Sequence, residues 1–366
     1  MQPKQSIVHL PVYQPGKPIE EVKRELGLSE IIKLASNENP FGSSPKVKAA
    51  IEAELANISL YPDGGAVDLT SAVAKYLGVE TNQLIFGAGS DEVILMLARA
   101  YLVPGDDTVM AKHTFPQYKH NCEIEGANCI EVPLNHGTHD LDAMLAAITD
   151  RTKIVWICNP NNPTGTMNTD EEIKAFLSKV PSNVLVVLDE AYCEYNTTGE
   201  YPDSIELIKQ YENVISLRTF SKIYGLASLR IGYGVGHPSV IRTINQVREP
   251  FNTTRMAQAA AIAAIQDNKF IEKCRTANSA GLAYLTEQFA KLGLTAFPAH
   301  GNFVMVDVGR PAAAVFEGLL RKGIIVRGGH QLDFPTSIRV TIGSSEQNEK
   351  FIAALTQVLA ETAVQA

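Results

Sequence analysis

The chain has 366 residues, 45% of them apolar and 20% charged, which is enough for a sizeable core and suggests two globular parts rather than one. A formal net charge of -8 argues against nucleic acid or an anionic membrane as partner, so an anionic ligand has to be gripped by a few placed arginines or lysines. The five cysteines lack zinc-ligand or C-x-x-C spacing, and no apolar run suits a signal peptide or a bilayer span, so a soluble cytoplasmic enzyme is expected.

In chain order, the first 35 residues are rich in proline and charge and read as an arm. Ser44-Pro45 reads as a helix N-cap followed by proline at the first helical position. Strands are predicted at 84–86, 108–111, 129–132, 154–158, 184–188 and 214–217, with helices over 91–102, 141–148 and 170–177 between them. Ser90-Asp91-Glu92 looks like a cap with two acids in the first turn. The last three strand runs are almost wholly apolar, as expected of strands covered on both faces, and the alternation predicts a parallel sheet with crossover helices. Beyond residue 255 an Ala-rich helix over 256–265 and a second helical pattern to about 292 precede short strands at 302–306, 324–326 and 338–342. A terminal helix begins near Ser345. The expected class is α/β: a large domain with a mostly parallel sheet flanked by helices, plus a smaller α+β domain. The expected division is 1–45 as an arm and part of the small domain, 46–255 as the large domain, and 256–366 as the small C-terminal domain.

Ligands of doubly wound sheets bind beyond the carboxyl ends of the strands. Four predicted strand ends carry polar groups that complement one another. One leads into Asn161-Asn162-Pro163-Thr164-Gly165, one into Asp189-Glu190-Ala191-Tyr192, one into Thr219, Ser221, Lys222 and Arg230, and one into Gly89, Ser90 and Asp91 at a helix start. An amine, an acid, phenol and amide donors, and a cationic, amide-rich cradle together suit pyridoxal 5'-phosphate. Lys222 supplies the amine for a Schiff base and Asp189 the acid for the ring nitrogen. Tyr192 and Asn162 donate to the phenolate oxygen. Backbone N–H groups of Gly89, Ser90 and Asp91, the hydroxyls of Thr219 and Ser221, and the Arg230 guanidinium take the phosphate. Phe115 or Tyr118 covers the ring. Gly87-Ala88-Gly89 lacks the third glycine of a dinucleotide fingerprint.

The strings 161–165, Leu188-Asp189-Glu190-Ala191-Tyr192 and Ser221-Lys222-Ile223-Tyr224-Gly225-Leu226-Ala227-Ser228-Leu229-Arg230 resemble the signatures of fold-type I aminotransferases. More narrowly, Tyr13-Gln14-Pro15-Gly16-Lys17-Pro18, the run 34–42, Tyr61-Pro62-Asp63-Gly64, Gly89-Ser90-Asp91-Glu92, Val326-Arg327 and the run 338–343 make the chain resemble histidinol-phosphate aminotransferases almost from end to end. Ser228 departs from that pattern, where glycine is common. The resemblance implies a homodimer in which Tyr61 reaches the cofactor phosphate of the other subunit. It also implies that Arg327 and Arg339 grip the anionic end of the substrate, with Tyr13 and Asn37 in the substrate site. The implied reaction is L-histidinol phosphate plus 2-oxoglutarate to imidazole-acetol phosphate plus glutamate, by ping-pong kinetics. Two alternatives use the same cradle: a decarboxylase of a phosphorylated amino acid and an aromatic amino-acid aminotransferase. Bidentate guanidinium pairs suit a phosphate monoester, which agrees with the arginine assignment. His330 reads as a solvated loop histidine.

Overall fold

A computed structural model describes residues 1–12, 19–28 and 30–363. Its strands are β1 (Ile32–Lys33), β2 (Leu84–Gly87), β3 (Asp107–Ala111), β4 (Asn128–Val132), β5 (Thr152–Cys158), β6 (Leu185–Asp189), β7 (Val214–Thr219), β8 (Gly232–Gly236), β9 (Thr295–Ala296), β10 (Phe303–Asp307), β11 (Ile324–Ile325), β12 (Arg327–Gly328) and β13 (Ser337–Thr341). A seven-stranded sheet runs in the order β2-β8-β7-β6-β5-β3-β4. Its pairings are parallel from β7 to β4, while β8 pairs antiparallel with both β7 and β2.

The apolar runs predicted as central strands lie where their composition demands. All residues of β6, and all but Lys153 of β5, are buried, since helices cover both faces and no solvent-facing row exists to be polar. One apolar cluster forms on each side: Val155, Ile157 and Val186 belong to one, Ile154, Trp156 and Val187 to the other, as period-two alternation requires. β4 is more exposed because it is the sheet edge.

β8 was not expected, because Gly-Tyr-Gly-Val-Gly has little strand propensity. Its glycines are needed for close approach: a Cβ at Gly232 would lie 2.7 Å from the carbonyl carbon of Gly89, in the turn that starts helix Ser90–Tyr101. Ser44 caps helix Pro45–Glu54 as predicted, accepting from the Lys46 N–H, with Pro45 opening the first turn. The other cap is shifted by one residue. Gly89, at φ +81°, is the cap and Ser90 the first helical residue, because the tight turn from β2 needs a left-handed residue there.

A four-stranded antiparallel sheet in the order β12-β13-β10-β9 carries its own apolar cluster, with Val304, Val306, Ile338 and Val340 under the terminal helix Ser345–Ala363. The arm is stitched to this part by β1, which pairs parallel with β11. Helix Arg255–Ile265 buries Ala257, Ala260, Ala261 and Ala264 in the cluster of the large sheet. No helix among the described residues is long and apolar enough to cross a membrane.

Candidate active site

The carboxyl ends of β5, β6 and β7 open into a cavity of about 580 Å³, which β13 and the 35–38 segment wall from the other side. Lys222, three residues past β7, lines it with its amine 5.6 Å from the centre of the Tyr192 ring. Its Nζ donates to the Ser36 carbonyl at 3.4 Å. Burial, and then the Arg339 guanidinium, push the amine down to about 8, so at pH 7 about a tenth of it is free base and nucleophilic.

Asp189 ends β6 and is buried. Its Oδ2 accepts from the Tyr118 hydroxyl at 2.6 Å and its Oδ1 from the Ala191 N–H at 3.2 Å, while burial pushes the carboxyl up to about 6. A buried carboxylate held by these two neutral donors invites a cationic partner from the cavity. Glu190 points away, as strand alternation requires, and accepts from Ser204 and Ser216 at 2.6 Å each and from Arg218 at 3.1 Å.

At the phosphate end predicted from the sequence, Ser90, Asp91, Thr219, Ser221 and Arg230 all line the cavity. Arg230 Nη2 lies 3.0 Å from Asp91 Oδ2 and its Nη1 lies 3.4 Å from Ser221 Oγ. Gly89 leaves room for that guanidinium: a Cβ there would sit 2.5 Å from Nη2. An open helix N-terminus, small side chains and a half-exposed guanidinium form an anion cradle.

The structure separates the two ring-covering candidates. Phe115 lines the cavity, whereas Tyr118 is fully buried behind it, stacked on Trp156 at 5.0 Å and spent on Asp189. Asn162 lines the cavity, and its Oδ1 accepts from Arg339 Nη1, which leaves the amide N–H₂ to donate. Arg339, on β13, also donates to the Ala35 carbonyl at 2.7 Å; its Nε is buried with no partner among the described residues. Arg327, on β12, pairs in register with Arg339, so both guanidinium groups serve one cavity. An anion is what such a pair lacks.

Tyr13 lies outside the described residues. Tyr61 does not line the cavity; it is 76% exposed and stacked on Phe251 at 4.6 Å. Asn37 borders the cavity, but its amide is turned to Tyr192 and Thr341. His330 packs edge-on against Phe316 rather than on the cavity. The neighbours that sequence reasoning missed, Ala35 and Ser36, act through backbone carbonyls, which no side-chain pattern announces.

The profile of the family described as "Aminotransferase class I and II" matches residues 29–355. A histidinol-phosphate aminotransferase of Brevibacillus brevis is 54% identical over 98% of this chain and 99% of its own length. One of Bacillus subtilis strain 168 is 53% identical over 98% of this chain and all of its own. Among solved structures, the histidinol-phosphate aminotransferase of Sinorhizobium meliloti in complex with pyridoxal-5'-phosphate superposes with a TM-score of 0.90 at 30% identity, covering 98% of this chain and 97% of that one. Aspartate aminotransferase from Thermus thermophilus shares the fold, with a TM-score of 0.83.

Proposed function

The chain belongs to the class I and II aminotransferases, and from that premise we propose that it is a histidinol-phosphate aminotransferase of histidine biosynthesis using pyridoxal 5'-phosphate. The observation that carries the reading is one cavity holding a depressed lysine, a buried carboxylate and two guanidinium groups, in a chain over half identical to enzymes of that name.

The residues present fit the cofactor. Asp189, buried and hydrogen-bonded only by the Tyr118 hydroxyl and the Ala191 N–H among the described residues, would keep the ring nitrogen protonated. Tyr192 and Asn162 would hold the phenolate oxygen, and Phe115 would cover the ring. Gly89, Ser90, Asp91, Thr219, Ser221 and Arg230 would hold the phosphate. When bound, the cofactor supplies an electron-withdrawing ring that acidifies the substrate α-carbon. Lys222 would first anchor the cofactor and then, as a free amine, serve as the base that carries the proton between the substrate α-carbon and the C4′ carbon of the cofactor. Its lowered proton affinity suits it to do so near neutral pH. Arg327 and Arg339 bind the phosphate of histidinol phosphate and the carboxylates of 2-oxoglutarate or glutamate, fixing the reacting carbon near Lys222.

The same reading includes a homodimer in the cytoplasm. The exposed apolar side chains Leu55, Ile58, Leu60, Tyr61, Val67 and Phe251 support it, since large apolar groups left to solvent, Tyr61 and Phe251 stacked among them, suit an interaction surface from which Tyr61 reaches the cradle of a second copy. It also keeps residues 46–255 as the large lobe and 1–45 with 256–366 as the small one.

The test is the absorbance of the reconstituted protein before and after histidinol phosphate is added without keto acid. Loss of the visible cofactor band, with stoichiometric pyridoxamine phosphate formed, is expected. A shift only with phenylalanine or tyrosine would keep the aminotransferase and discard this substrate. Continuous turnover without 2-oxoglutarate would favour a decarboxylase.

A further inference from the structure

Asn37 stands in an unusual position. It is 1% exposed and sits at φ +56°, a left-handed conformation that asparagine tolerates better than most residues. Its backbone N–H donates to Thr341 Oγ1 at 2.9 Å, and the Thr341 hydroxyl donates back to Asn37 Oδ1 at 3.1 Å. Its carbonyl accepts from Asn302 Nδ2 at 2.9 Å. These contacts come from β13 and from the residue before β10, so the smaller sheet holds Asn37 in place.

That reciprocal pair fixes the amide. With Oδ1 facing Thr341, Nδ2 faces Tyr192 and donates to its hydroxyl oxygen at 3.0 Å. A phenol oxygen accepts from one side and donates from another. Tyr192 therefore does not give its proton to Asn37. The proton is left for the cavity, which Tyr192 lines together with Lys222, whose amine lies over its ring. Burial keeps the phenol protonated, so it stays a donor across the working pH range.

We propose that Asn37 is a positioning residue: by donating to Tyr192 it sets the direction of the tyrosine proton toward the phenolate oxygen of the bound cofactor. The inference rests on the cofactor reading above and replaces the sequence expectation that Asn37 contacts substrate. Thr341 is two residues beyond Arg339 on β13, hence on the same strand face. The strand that presents the substrate arginine thus also locks the donor direction of Tyr192.

The experiment is a spectrophotometric pH titration of bound pyridoxal 5'-phosphate in four proteins: the parent, Asn37→Gly, Tyr192→Phe and the double variant. Glycine keeps the left-handed backbone and removes only the amide. A donor to an oxyanion lowers the pH at which the chromophore takes up its proton, so losing that donor raises the midpoint. Tyr192→Phe should raise it by about one pH unit, and Asn37→Gly by a fraction of that. In the Tyr192→Phe background Asn37→Gly should add nothing, because Asn37 acts through the hydroxyl. An unmoved midpoint in Asn37→Gly, or an equal shift in both backgrounds, would overturn the proposal. Should Asn37→Gly fail to fold, Asn37→Asp replaces it in the same cycle. A carboxylate there would capture the tyrosine proton, and the part of its shift that vanishes in the Tyr192→Phe background is the part owed to that hydroxyl. A parent protein with no cofactor band would instead sink the cofactor reading itself.

Discussion

The hydrogen bond from Tyr118 to Asp189 is open to a quantitative test. Tyr118→Phe removes one oxygen, keeps the ring on Trp156 and leaves a buried carboxylate short of a donor. A hydrogen bond to a charged group contributes about 1.5–3 kcal/mol, which at about 1.4 kcal/mol per pH unit moves the carboxyl up by about 1–2 units. Burial has already pushed Asp189 up to about 6. In the variant about half to one-tenth of it would be ionised at pH 7, so cofactor affinity at that pH should fall by about two- to tenfold. The acidic limb of affinity against pH should move upward by the same 1–2 units. Trp156, the single tryptophan, is buried beside the site, so its fluorescence reports cofactor binding to the apoprotein. Titration of the cofactor's own phosphate is common to both proteins and cancels in the comparison. The sign for stability follows from linkage. A carboxyl whose folded value, about 6, is raised above its unfolded 3.8 destabilises the fold in full above pH 6, and that penalty fades as pH falls from the folded value to the unfolded one. The loss of unfolding free energy in Tyr118→Phe should therefore be largest above pH 8 and shrink towards pH 5. A loss constant with pH, together with an unmoved affinity limb, would refute the coupling.

The other expectations follow from the same cavity. Gly89→Ala places a Cβ against Arg230 on a backbone at φ +81°, and should weaken pyridoxal 5'-phosphate binding by about tenfold or more at equilibrium dialysis. The rate at which apoprotein takes up cofactor covalently should rise with pH through about 8, where Lys222 loses its proton. Arg339→Gln removes a cation that lowers that value, so the midpoint should move up and the KM for histidinol phosphate should rise; stopped-flow absorbance reads the first and steady-state kinetics the second. Mixing refolded Lys222→Ala and Tyr61→Ala chains should restore about a quarter of parental activity if sites are shared, because hybrid dimers hold one intact site. Independent sites would give none.

What the sequence revealed and what it hid divide along a physical line. The central strands were legible because burial on both faces leaves no choice but a continuous apolar run, as in Ile154, Val155, Trp156 and Ile157. The chemistry was legible because strand ends in such a sheet converge, so Asp189, Lys222 and Ser90 could be placed in one cleft from their strands alone. β8 was hidden because its glycines answer a spatial demand, room beneath Ser90, and not a local preference. Helix Gln117–Ile124 was hidden for the opposite reason: Tyr118, Asn121 and Cys122 form its buried side, a stripe too polar to read as amphipathic. The aim of side chains was least legible. Tyr118 and Phe115 are three residues apart and both aromatic, yet one faces the cavity and the other stands behind Asp189, because Trp156 and the carboxylate draw Tyr118 away. Asn37 is the same case in a polar setting. Its position by the cavity was foreseeable, but whether its amide addresses the substrate or Tyr192 is decided by Thr341, 304 residues distant in sequence. Long-range hydrogen bonds of this kind give a site residue its role without leaving a mark in the local sequence, which is why the direction of the Tyr192 proton has to be argued from the fold.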